Sequence, residues 1–180
     1  MSQPRPADPV NLVMSLLAAD VNLIREALVI LAENCGEPDF ISAYLNFDYT
    51  DYYGEEMGSN LIRRFVSFAA LIPPETLPDV KGMTNGVEGL FVHGGKRRLN
   101  IDPGYLSSAH LILATGKGFA HRPYLREGVY ADLTLIFRQG TFRSLPWTYP
   151  DYGSPEVMGI LERIRNRYLE KIRTMRKRPS

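Results

Sequence analysis

What the chain lacks narrows it first. Of its 180 residues one is a cysteine, Cys35, so no internal disulfide and no cysteine-built zinc site can form. That usage leads us to expect a reducing, cytoplasmic setting. No apolar run approaches the roughly 20 residues that span a bilayer. The polar, proline-rich start MSQPRPADP has neither the basic stretch nor the apolar core of a signal peptide, and no membrane association is expected. HExxH, HxxxH and HxH spacings are absent, as is a GxSxG elbow, which leaves no sign of a helix-borne zinc site or a serine hydrolase. Gly95-Lys96 and Gly116-Lys117-Gly118 look like pieces of phosphate loops. Neither fits GxxxxGK[ST]: Leu90 and Leu111 stand where the first glycine belongs, and Arg97 and Gly118 where Ser or Thr belongs. A net charge of +1 gives no global pull toward nucleic acid. The charge is uneven, however. Residues 162–180 carry eight Lys/Arg against two Glu, leaving 13 basic and 18 acidic residues elsewhere.

What is present reads as one α+β domain over residues 1–180, with loose ends at 1–8 and 176–180. Residues 10–18 (VNLVMSLLA) are apolar on both faces, as in a central buried strand. Asp20 is placed as an N-cap, Ile24, Ala27, Leu28 and Leu31 have helical spacing, and Gly36 offers a left-handed stop. Residues 39–47 alternate as a half-buried strand, and residues 61–71 read as another. Residues 73–92 have helical spacing, but Gly82, Gly86 and Gly89 share one face. That face either packs closely on the sheet or breaks the helix. Residues 97–102 are a short strand ended by a Pro103-Gly104 turn, with Arg98, Asn100 and Asp102 on one side. Residues 107–115 are strand or helix; periodicity does not decide. Residues 119–126 and 129–138 read as a hairpin about Glu127-Gly128, which sets His121 opposite Thr134 and on the face of Asp132. Val157, Leu161, Ile164, Tyr168, Ile172 and Met175 form one stripe of a last helix starting near Ser154. The order predicts a ferredoxin-like split β-α-β core (βαββαβ), extended by a C-terminal hairpin and helix.

Polar chemistry is densest in residues 95–125. Lys96, Arg98, Lys117 and Arg122 there suggest an anion site, with solvated turns as the plain alternative. His121 is a candidate acid or base that a carboxylate could orient. Asp48 and Asp51 could hold Mg²⁺ through oxygen, or simply form turns. Tyr49, Tyr52, Tyr53, Tyr105, Trp147, Tyr149 and Tyr152 read as loop residues that could stack on a base or ring, or seal the sheet edges. The strings FDYTDYYGEEMG, RRFVSF, GKRRLNIDPGYL, LATGKGFAHRPYL, GVYADLTL and LPWTYPDY, in this order along nearly the whole chain, resemble the prokaryotic domain-of-unknown-function family 4416. The resemblance implies a single-domain, uncharacterised protein. It carries over as site residues Asp48, Asp51, Tyr52, Tyr53, Glu56, Arg64, Asn100, Asp102, Tyr105, Lys117, His121, Arg122, Trp147, Tyr149 and Asp151. The glycine-rich stretch 81–89 departs from the charged helix expected there.

The sequence therefore leads us to expect a protein that binds a small anionic, phosphorylated or nucleotide-like ligand in a polar cleft. Lys117, Arg122 and Arg98 hold the anion, with Arg64, Asn100, Tyr105 and the aromatics around it. His121 moves a proton with Asp102 or Asp151. The competing expectation is a non-catalytic adaptor that binds RNA or a protein through its basic last helix.

Overall fold

The fold begins with a strand that has no solvent face. In the computed structural model, which describes residues 3–48, 57 and 60–177, β1 (Val10–Ala18) is buried at every position. Leu12, Met14, Leu16 and Ala18 enter one core and Val13 the other, so both faces need cover. Asp20 accepts the Asn22 N–H at 2.8 Å and opens α1 (Val21–Cys35), which Gly36 closes at φ 86°. Leu23, Ile24, Ala27 and Leu31 of α1 cover the first face.

Two short strands, β2 (Pro38–Ile41) and β3 (Leu45–Asn46), stand where the alternation predicts one. Ser42 causes the break. Its hydroxyl accepts the Phe65 N–H at 3.0 Å, a place a backbone carbonyl holds in a regular ladder. Burial then changes parity: Ser42 is buried and Ala43 exposed, whereas Leu45 and Phe47 are buried. β4 (Ile62–Ile72) pairs antiparallel with β1 on one edge and with β2 and β3 on the other.

After a 3-10 turn at Pro74–Thr76 comes α2 (Leu77–Leu90), an unbroken helix. Its glycines do not pack on the sheet either, since a Cβ at Gly82, Gly86 or Gly89 would meet nothing within 4 Å. A hairpin follows, β5 (Val92–His93) and β6 (Lys96–Arg97), turning on Gly94-Gly95. Gly95-Lys96 is thus part of a hairpin turn with positive φ, 58° and 75° at the two glycines.

β7 (Leu99–Leu106) runs through Pro103-Gly104, where the dipeptide predicts a turn. It pairs with β1 along its whole length, but with β8 (His110–Thr115) only at Gly104, Tyr105 and Leu106. Antiparallel alternation aims the peptide groups of Ile101, Pro103 and Tyr105 toward β8. The N–H that Pro103 lacks would therefore point where β8 has already parted, so proline is tolerated. Glycine is needed at 104, because a Cβ there would lie 2.4 Å from the Ile112 carbonyl oxygen. The unpaired peptide of Ile101 is taken by α2. Glu88 Oε1 accepts its N–H at 2.6 Å, and Lys81 Nζ donates to its carbonyl at 3.3 Å.

The chain continues through β9 (Tyr124–Arg126), β10 (Val129–Arg138) and β11 (Thr141–Ser144). Their turns are Glu127-Gly128 and Gln139-Gly140, positive in φ at all four residues. Ser154 Oγ accepts the Val157 N–H at 3.3 Å and caps α3 (Pro155–Lys177). α3 covers the second face with Val157, Ile160, Leu161, Ile164, Tyr168 and Ile172. Met175, in the same stripe by spacing, is exposed.

The architecture is mixed α+β. Among the described residues one antiparallel sheet has nine strands, ordered β11-β10-β8-β7-β1-β4-β2, with β3 on β4 and β9 on β10. That is wider than a four-stranded split βαβ core. α1 and α2 lie on one face and α3 on the other. No helix among the described residues is long and apolar enough to cross a membrane.

Candidate functional site

The α3 face carries two polar groups. The first forms where residues 116–123 leave β8 and return to β9. Buried Arg122 is its hub. Its Nε donates to Asp132 Oδ2 at 2.8 Å, Nη1 to the Lys117 carbonyl at 3.1 Å, and Nη2 to the Tyr149 hydroxyl at 3.4 Å. The guanidinium carbon lies 4.7 Å from the centre of the Phe119 ring. Three separate segments are thereby gathered on one cation.

His121 sits beside this hub. Its Nε2 is 3.8 Å from Asp132 Oδ2, beyond hydrogen-bond length, and has no hydrogen-bond partner among the described residues. Rings hold the imidazole instead: Trp147 at 4.9 Å and Phe119 at 6.0 Å, each inclined by 15°. Trp147 is pinned through Nε1, which donates to the Leu133 carbonyl at 2.9 Å. The next residue, Thr148, donates Oγ1 to the Thr134 carbonyl at 2.6 Å and fixes the loop to β10. Nε2 is buried as well as unspent, so a proton it exchanges passes to Asp132 or to a group brought to it inside the protein.

The second group lies over β1, β4 and β7. Arg63 is buried, with Nη1 paired to Asp151 Oδ2. Its guanidinium carbon is 4.4 Å from the ring centre of Phe47 and 5.2 Å from that of Tyr152. Burial works against the Arg63 charge, but Tyr152, Asp151 and Asp102 outweigh it and hold the pKa above its ordinary value. Burial pushes the Tyr152 hydroxyl well above the usual phenol range, helped by Asp102 and Asp151. Ser15 is close enough to temper that shift, yet neither hydroxyl makes a hydrogen bond of good geometry among the described residues. Asn100 donates to Asp102 Oδ2 at 3.0 Å and accepts from Arg97 Nη1 at 2.9 Å.

The family model described as Domain of unknown function (DUF4416) matches residues 8–168. The chain belongs to this family. Neither the curated proteins nor the solved structures yield a match to it.

In this DUF4416 chain, four of the expected site residues meet through their side chains, His121, Arg122, Trp147 and Tyr149, and Lys117 joins them through its backbone carbonyl. Asn100, Asp102 and Asp151 belong to the second group. Asp132 faces Leu113, and Leu113 faces Gly104, which puts Asp102 roughly 12 Å from Asp132 at ordinary strand spacing. The carboxylate beside His121 is therefore Asp132. His121 does not pair with Thr134, because β9 begins only at Tyr124 and β10 has a register shift between Val129 and Tyr130. A turn closed by the Arg122 N–H on the Phe119 carbonyl, 2.9 Å, presents the imidazole instead.

The remaining expected residues are dispersed. Arg64 lies 4.3 Å from the Tyr44 ring centre and donates Nε to the Ser42 carbonyl at 2.9 Å. Tyr105 points to the opposite face, in a cluster with Leu77, Ala114 and Val129, and burial raises its pKa. Arg98 is exposed between β6 and β7, and Asp48 is exposed after β3. Tyr49, Asp51, Tyr52, Tyr53 and Glu56 lie outside the described residues. Among the described residues no three His, Cys, Asp or Glu side chains are grouped to hold a metal. Phe119 and Arg63 are members that the sequence reading missed. Arg63 had a usable signal, since it shares the parity of buried Phe65 in β4.

Proposed function

We propose that this protein binds a small anionic ligand, phosphorylated or nucleotide-like, at the group around Arg122 and His121. The observation that carries this reading is the convergence of Lys117, Phe119, His121, Arg122, Asp132, Trp147 and Tyr149 through one guanidinium and one ring stack. Among the described residues the group sets Lys117, His121 and Arg122 beside Asp132, a balance that favours a negative ligand. Arg122 is engaged with its own fold and acts as organiser. Lys117 and the Tyr149 hydroxyl meet the anion, and Arg98 contributes at longer range. His121 moves a proton, with Asp132 behind it, while Asp102 and Asp151 with Arg63 shape the neighbouring floor. A Mg²⁺ held by Asp48 and Asp51 belongs to the same proposal. So does the finer topology, in which β1, α1, β2, β4, α2 and β7 form a ferredoxin-like split βαβ core to which β8–β11 are added.

The test is calorimetric titration with mononucleotides, ribose 5-phosphate and inorganic phosphate. His121→Ala and Lys117→Ala should each weaken binding about tenfold or more, with cooperative urea unfolding retained. Unchanged affinity in both variants would refute the proposal. Binding of RNA through α3 has less support. Arg176 pairs with Asp8, and Arg165 lies 3.4 Å from the Phe137 ring centre. Lys171 Nζ donates to the Asn11 side chain at 2.5 Å and to the Phe68 carbonyl at 2.7 Å. Affinity falling steeply with salt would favour that reading.

A further inference from the structure

The row of rings at His121 is open at one end. Trp147 has one edge fixed by the Leu133 carbonyl and one face covered by His121. Even so, 37 % of the residue is exposed. With that edge and that face taken, the exposed part is the outer face and the far edge of the indole. Tyr149, two residues on, is 52 % exposed and is tied to Arg122 through its hydroxyl. The indole N–H, the only polar atom of the Trp147 side chain, is already engaged inside the protein, so what the side chain offers to water is ring carbon. Its orientation is fixed before any ligand arrives, so little side-chain freedom is lost on binding.

We infer that the outer face of Trp147 is a stacking platform for a nucleobase, so that the ligand is a nucleoside phosphate rather than a sugar phosphate or inorganic phosphate. The inference rests on the proposed anion site and narrows what that site takes. A base laid on Trp147 becomes the next member of the Phe119–His121–Trp147 row. Every base presents a π face, so stacking alone sets the class and not the particular base. The phosphate falls toward the Tyr149 hydroxyl and the loop of Lys117, whose backbone carbonyl Arg122 holds beside the row.

Trp147 is the only tryptophan among ten tyrosines, so fluorescence excited where tyrosine does not absorb reports this surface alone. The protein is titrated with AMP, UMP, ribose 5-phosphate and inorganic phosphate, following fluorescence and heat together. Both mononucleotides should quench Trp147, and both should bind more tightly than ribose 5-phosphate, which should give heat without quenching. Trp147→Ala should weaken mononucleotide binding by about 5- to 150-fold and ribose 5-phosphate binding by a smaller factor, since His121 loses one of its two ring neighbours. Trp147→Phe, which keeps a ring, should lose less, and circular dichroism confirms that both variants are folded. Should Trp147→Ala not fold, quenching of the native protein and the affinity of Trp147→Phe decide. Ribose 5-phosphate binding as tightly as AMP, with no quenching by AMP, would overturn the inference and leave the anion site standing. No heat from any of the four would remove both.

Discussion

Removing Asp151 should harm this fold more than removing its partner, and the difference should depend on pH. Arg63 and Asp151 have side chains only 5% and 8% exposed. Asp151→Asn leaves a buried guanidinium that cannot shed its charge, and whose Nε already lacks a partner among the described residues. Breaking a buried pair in this way costs about 3–5 kcal/mol. The rings of Phe47 and Tyr152 soften that loss without replacing the carboxylate. Arg63→Met instead leaves a buried carboxylate, which can take up a proton. Its folded pKa then rises above the unfolded value near 3.9. A raised pKa gives stability that is present at low pH and lost as pH climbs through the folded value. The deficit of Arg63→Met should therefore shrink from pH 8 to pH 5, while that of Asp151→Asn stays constant. The double replacement Arg63→Met with Asp151→Leu should return to within about 2 kcal/mol of the parent. Urea unfolding followed by circular dichroism at several pH values measures all three. A loss below about 1 kcal/mol for Asp151→Asn, or equal pH dependence for both single variants, would refute the reasoning.

Other outcomes follow from the same structure. Gly104→Ala places a Cβ against the Ile112 carbonyl and should cost about 1–3 kcal/mol; an unchanged urea midpoint would show that β8 yields freely. Burial holds the His110 pKa below its ordinary 6.5, so stability should fall as pH drops below about 6.5, and His110→Gln should flatten that part of the profile. Asp39 feels burial, which raises its pKa, but hydrogen bonds from Lys171 and Ser67 prevail and lower it. Its stabilisation is present above the unfolded pKa and is lost as pH falls through the folded value. The stability of Asp39→Asn should therefore converge on that of the parent at acid pH, and a constant gap would count against the assignment.

Features governed by near neighbours were legible in the sequence. β1 and α1 could be read from an unbroken apolar run, an aspartate cap and a glycine stop. The antiparallel hairpin at Glu127-Gly128 came from two adjacent residues. Features set by distant partners were not. Pro103-Gly104 reads as a turn unless one knows that β8 leaves β7 at that point. Ser42 breaks an alternation because its hydroxyl meets the Phe65 N–H 23 residues away. The candidate site shows the same division. Lys117, His121 and Arg122 meet because one tight crossing carries them. Asp102 and Asp151 share their chemistry, but Asp102 stands two strands aside in β7 and Asp151 is held by Arg63 of β4. Asp132 could be found by face but not by register, since the irregular start of β10 moves the partner of His121.

The parting of β8 from β7 has a mechanical consequence. β1 is stitched to β7 all along Asn11–Ala18, whereas the outer strands join the inner sheet only at Gly104, Tyr105 and Leu106. Between the central strand β1 and the outer panel, the ladder narrows at that seam from eight paired positions to three. A load applied to the outer panel concentrates there, and Lys81 and Glu88 brace the inner lip from beneath. The rings and cations of the candidate site sit on segments anchored to the outer panel through Asp132, Leu133 and Thr134, so they move with that panel relative to β7.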